Sequence, residues 1–151
     1  MKEAGPRLAT DQRMSTSSAA APTGFVFPRS FKTMAARVDL PDISPMFWMF
    51  ELESDGIPDW TEILAEQFPE RSLVPFAKDG GSDDVYCFDG SDLSGDPVVL
   101  LIHSFTDPGW EYRGEWFNFD SWFAGAVEFH ESWLKGEVED FETGRPDEGK
   151  P

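Results

Sequence analysis

Cysteine is nearly absent from this chain: Cys87 stands alone, which excludes an intrachain disulfide, a CxxC redox pair and a cysteine-based zinc cluster. Histidine is almost as scarce, with His103 and His130 the only imidazoles available to a general base. No apolar run reaches the ~20 residues needed to span a bilayer, and the N-terminus lacks the apolar core of a signal peptide. The expectation is a soluble, cytoplasmic protein with no membrane partner. Bases are few where the chain is richest in apolar residues: Arg71, Lys78 and Arg113 are the only ones between Val38 and Leu134. Phosphate contacts need a basic patch, so nucleic acid is not expected as a partner. A glycine-rich P-loop, a G-x-S-x-G elbow and a dinucleotide fingerprint are missing too, and no cofactor is implied.

What the chain does contain is acid and aromatic side chains together. Asp and Glu number 29 against 12 Lys and Arg, a net charge of -17 over 151 residues. The imbalance is uneven, with two acids and six bases up to Arg37, then 27 acids and six bases. Such a domain repels itself, so the surface either only keeps the protein in solution or meets a strongly cationic partner. An aromatic fraction of 15%, with 14 Phe and six Trp, supplies the core that a disordered acidic chain lacks. The length suits one core.

Residues 1–24, with a Ser/Ala-rich stretch and no apolar period, read as a disordered leader; 25–141 form the domain and 142–151 a flexible acidic tail. Residues 28–38 predict a short helix opened by Pro28, with Phe31, Met34, Ala35 and Val38 on one face. Residues 46–50 are apolar throughout and fit a doubly buried strand or a turn of buried helix. Residues 59–68 predict a helix capped by Asp59, with Glu62 completing a capping box and Trp60, Ile63, Leu64 and Phe68 as its buried stripe. Strand-like runs follow at 72–77, 84–89 and 97–104, with 113–119 a further edge strand. The connections among the first three are too short for helical crossovers, which points to an antiparallel meander. Residues 120–134 carry the longest helical period, with Trp122, Ala126, Phe129 and Trp133 along one side. The expected fold class is α+β: a single domain whose antiparallel meander sheet packs against N- and C-terminal helices, with Trp48, Trp60, Trp122 and Trp133 in the core.

The segment Leu73-Val74-Pro75-Phe76-Ala77-Lys78-Asp79-Gly80-Gly81-Ser82-Asp83-Asp84-Val85-Tyr86-Cys87-Phe88-Asp89 resembles the strand, glycine and aspartate turn and aromatic strand of the SMI1/KNR4 family, or SUKH superfamily. Pro97-Val98-Val99-Leu100 through His103 is similar to the family's next strand, Phe119-Asp120-Ser121-Trp122-Phe123 to the start of its last helix, and Phe27-Pro28-Arg29-Ser30-Phe31 to its helix entry. The turn differs in carrying Ser82 where many members have glycine. The resemblance implies a non-enzymatic binding domain. Bacterial members are mostly immunity proteins that neutralise toxins, many of them nucleases, while fungal relatives regulate cell-wall synthesis.

Asp79, Asp83, Asp84 and Asp89 with His103 suggest a cation site, but glycine and aspartate side by side are what a tight turn requires. A small metal-dependent hydrolase using these groups ranks last. Cys87 lies between two aromatics in a strand pattern, the setting of a packed thiol. A protein partner with a basic surface, such as a toxin domain, fits the charge better, because carboxylates steer its approach and aromatic anchors then hold it. The candidate partner-binding residues are Asp83, Asp84, Asp89 and Asp92 on the turns, and Asp107, Trp110, Glu111 and Tyr112 in the loop after the third strand, where Pro108-Gly109 marks a bend. An intracellular regulatory scaffold is the alternative, and exposed aromatics leave a homodimer open.

Overall fold

The computed structural model describes residues 22–49 and 60–137. Asp59, most of the leader and the tail lie outside them. Among the described residues the order is α1 (Arg29–Ala35), β1 (Met46–Trp48), α2 (Trp60–Gln67), β2 (Leu73–Asp79), β3 (Asp84–Asp89), β4 (Val99–His103), β5 (Tyr112–Trp116) and α3 (Phe119–Leu134). The strands form one antiparallel sheet in the order β1-β2-β3-β4-β5, a meander with the helices outside it. The fold is α+β, as the spacing predicts.

The unbroken apolar character of β2, β3 and β4 has a direct cause: both sheet faces are covered. On one face Val74, Phe76, Tyr86, Phe88, Val99, Leu101 and Trp116 pack with Phe31 and Met34 of α1 and Phe119, Trp122 and Ala126 of α3. On the other, Leu73, Val85, Cys87, Leu100 and Ile102 pack with Leu64 of α2, and with Met49 and Phe68. Alternation along each strand sends successive side chains to opposite layers. Pro75 sits in an interior strand without breaking it, because β1 pairs only with Ala77–Asp79 and the β2–β3 register shifts between Pro75 and Ala77.

Residues 46–50 resolve in favour of strand at Met46–Trp48. The first helix stops earlier than its apolar period suggests, at Ala35, and Val38 is exposed. The edge strand ends at Trp116, and Phe119 opens α3 instead of closing β5. Asn118 caps that helix by accepting from Ser121 N at 2.9 Å, and its Nδ2 donates to Asp96 at 3.0 Å. One core assignment needs correction: Trp133 lies near the end of α3 and is 43% exposed, stacked on His130. Trp60 is half-buried at the start of α2, packed against the second layer at its rim, in contact with Phe105 and beneath Lys78. Trp48 and Trp122 are buried as expected.

Candidate functional site

The antiparallel register sorts the eight candidate residues into two groups. Asp84 pairs with His103 and Asp89 with Leu73, so the two ends of β3 lie at opposite ends of the sheet. At the strand rise they are about 17 Å apart. That exceeds two Debye lengths at physiological salt (about 8 Å each), so charges at the two ends act separately. Asp83, Asp84, Asp107, Trp110, Glu111 and Tyr112 belong to the end formed by the β2–β3 turn and the β4–β5 loop. Asp89 and Asp92 belong to the other. This separation divides the aspartate set considered for a cation. Among the described residues no group of three or more His, Cys, Asp or Glu is placed to hold a metal ion.

Asp89 and Asp92 are turn-formers. Asp89 Oδ1 accepts from Ser91 N at 3.0 Å and Ser91 Oγ at 2.6 Å. Asp92 accepts from Ser94 N and Val98 N, each at 3.1 Å, which ties the β3–β4 loop to the start of β4. Hydrogen bonding from Ser94 outweighs desolvation and holds the Asp92 carboxyl below its usual value. A groove of about 660 Å³ lies beside this loop, between α1 and the start of α3. Its apolar lining of Met34, Phe119 and Phe123 is flanked by Arg29 and Arg37 on one side and Asp96 and Asp120 on the other.

At the first end the β4–β5 loop, residues 104–111, is fastened at both roots. Ser104 is buried, and its N and Oγ both donate to Asp83 O, at 2.9 and 2.7 Å. His103 N donates to Glu111 O at 2.8 Å, while His103 Nδ1 donates to Asp84 Oδ1 at 2.8 Å. Glu111 does not present its charge to solvent: it is 6% exposed, paired with Arg71, and accepts from Gly109 N at 2.6 Å. Tyr112 is half-buried and donates to Glu115. Glu111 is thus a fastener of the loop, whereas Tyr112, expected in the loop, opens β5 and bonds within that strand.

Desolvation pushes the Glu111 carboxyl up, but the bonds from Arg71 and Gly109 and the Arg71 charge overcome it, so the group titrates below its usual value. A carboxyl lowered by folding contributes stability above its unfolded value of about 4.3, and that contribution is lost as pH falls through the lower folded value. Glu111→Gln is therefore expected to cost about 1.5 kcal/mol near pH 7. Its deficit against wild type should shrink below about pH 4. Thermal unfolding across that range checks it, and a deficit that does not change with pH would contradict the pairing.

Held by those fasteners, the loop displays what the sequence reading missed. Phe105 is 64% exposed and carries φ +61°, a left-handed conformation that costs a non-glycine residue about 1–2 kcal/mol. Its N–H donates to Gln67 Oε1 of α2 at 2.6 Å, and its ring meets Trp60 edge-on at 5.9 Å. Trp110 is 57% exposed in the turn closed by its N–H to Asp107 O at 3.0 Å. Beneath, Lys78 Nζ lies 5.6 Å from the Trp60 ring centroid and donates to Ser82 O at 2.6 Å. Gly80 admits the neighbouring chain: a Cβ there would stand 2.6 Å from Pro45 O. Asp83 and Asp107 are exposed, as are Glu62 and Glu66 of α2. The one signal for Phe105 in the sequence is an aromatic placed directly before a Thr-Asp-Pro-Gly bend.

The remaining reactive groups serve packing. Cys87 is buried in the middle of the sheet, and burial pushes its thiol well up despite the Arg71 charge, which disfavours the thiolate. His130 Nδ1 donates to Ser44 O at 2.7 Å, joining α3 to the segment before β1. Among the described residues no helix is long and apolar enough to cross a membrane. Comparison with protein-family models, with curated proteins and with solved structures finds no match.

Proposed function

We propose that this protein is a non-enzymatic binding domain that acts as an immunity protein of the SUKH kind, neutralising a cognate toxin with a basic surface by occluding it. The observation that carries the reading is the coincidence, at one end of the sheet, of two exposed aromatics on a fastened loop with exposed carboxylates that form no salt bridge among the described residues. Phe105 and Trp110 stand beside Asp83 and Asp107, while the nearby cations Arg71, Lys78 and Arg113 are engaged by Glu111 and by backbone carbonyls. Large apolar side chains held in water are the anchors of protein interfaces, and the surrounding acids set the sign of what they meet. Occlusion needs no chemistry from this chain, in keeping with its sealed thiol, and the cytoplasm is where such a protein would meet its target.

A low-salt pull-down with the full chain, repeated with the product of each adjacent gene co-expressed, tests the reading. Recovery of one basic toxin that dissociates as salt rises is the expected result. Recovery of an endogenous regulatory protein alone would favour the scaffold alternative.

A further inference from the structure

We infer that residues 104–111, together with Trp60, form a docking surface for an arginine- or lysine-bearing polypeptide segment, with aromatic faces receiving the cations and their aliphatic stems. This deepens the proposed function and rests on it for the identity of the natural partner. Three observations carry it.

The first is exposure on a rigid support. Phe105 and Trp110 are large, exposed and carried by a loop whose roots are held by Ser104, His103 and Glu111. Little ordering is left to be done on binding, which is how a small apolar patch becomes an anchor. The second is charge. Asp83 and Asp107 on the turns and Glu62 and Glu66 on α2, the helix that bonds Phe105 through Gln67, are exposed carboxylates, and they outnumber Arg113, whose Nε is held by Trp110 O. The third is an internal example of the chemistry: the Lys78 ammonium already lies over the Trp60 ring. Trp60 is thus an indole face that already meets a cation within the fold, and the exposed Phe105 lies edge-on against it. A guanidinium carries the same charge on a flat, weakly hydrated group that stacks better on an aromatic ring. The opposite end of the sheet differs, because there Asp89 and Asp92 spend their oxygens on their own turns.

Octa-arginine is the probe, titrated at low salt into the 15N-labelled full chain. The expected result is amide shifts concentrated in residues 104–111 and at the indole N–H of Trp60 and Trp110. Phe105→Ala combined with Trp110→Ala should weaken the complex at least about tenfold. Leu93→Ala, which truncates an exposed apolar residue at the other end, should change it by less than about twofold. Lys78→Met, which removes the resident cation, should tighten the complex, and unchanged or weaker binding there would overturn the role given to Trp60. All variants should keep the wild-type near-ultraviolet circular dichroism outside the replaced tryptophan. Binding that maps to another surface, or that ignores the double variant, overturns this inference and leaves the immunity reading standing. No binding at any surface likewise overturns this inference, while the immunity reading stands or falls with the pull-down.

Discussion

Replacing Phe88 with alanine is expected to lower the unfolding free energy by about 3–5 kcal/mol, the range for a buried aromatic truncated in a core that cannot collapse around it. Phe88 is fully buried, stacked on Phe76 at 4.4 Å and met edge-on by Phe31 at 5.1 Å and Phe27 at 5.9 Å. It joins two sheet strands to α1 and to the entry segment, so no single neighbour can move to fill the space. Domains have about 5–15 kcal/mol in total, so this loss is a large part of the whole. Urea unfolding reads it as a lower midpoint with an unchanged slope. Leu93→Ala, on the surface, should stay within about 0.5 kcal/mol. A Phe88→Ala deficit under about 1 kcal/mol would mean that the layer between the sheet and α1 is not packed as described.

The second large effect concerns rate. With a basic partner in hand, Asp83→Lys combined with Asp107→Lys is expected to slow association about 10–100-fold at low salt. The same change of charge at Asp96 and Asp120, at the far end, should slow it less than about threefold. Net charge alone would make the two pairs equal; only position separates them. Raising salt to about 0.5 M should shrink the difference, since screening then acts over a few ångströms. Stopped-flow association curves for the two variants decide it. Equal slowing would show that the charge acts as a diffuse field and that neither end is the landing site. Dissociation should change little with these exposed acids and strongly with Phe105 and Trp110, because steering acts on encounter and anchoring on residence.

Much of the architecture was legible because burial leaves a short-range record. The 3.6-residue period around Phe31, Met34 and Ala35 and around Trp122 and Ala126 marked two helices, and unbroken apolar runs marked β2, β3 and β4. Turns too short for crossovers left the antiparallel meander as the arrangement of those strands. Failures fell at element ends. Trp133 follows the apolar period one turn too far for the sheet beneath α3, and Val38 does the same for α1. Periodicity tells which side of a helix faces inward, but not where the opposing layer stops.

The candidate site was legible only in part, for a different reason. The exposure of Asp107 and Trp110 was legible from the bend around Pro108-Gly109, yet Glu111 in the same loop turned out to be buried against Arg71, 40 positions away. Phe105 depends on Gln67 in another element, and Trp60, at the rim of the second layer, is met by Lys78 and Phe105. None of these partners lies within a helical turn or a hairpin of the residue it controls.

By itself the amino-acid sequence determined the α+β class, the antiparallel sheet, the apolar layers and the excess of acid, since each follows from composition or from contacts between near neighbours. Tertiary structure alone decided which acids share a surface and which aromatics are left in water. Strand register places Asp84 and Asp89 at opposite ends of the sheet. The fastening of a loop by distant residues holds Phe105 and Trp110 outward, and contacts of that range are fixed by how the chain returns on itself, which no local pattern records.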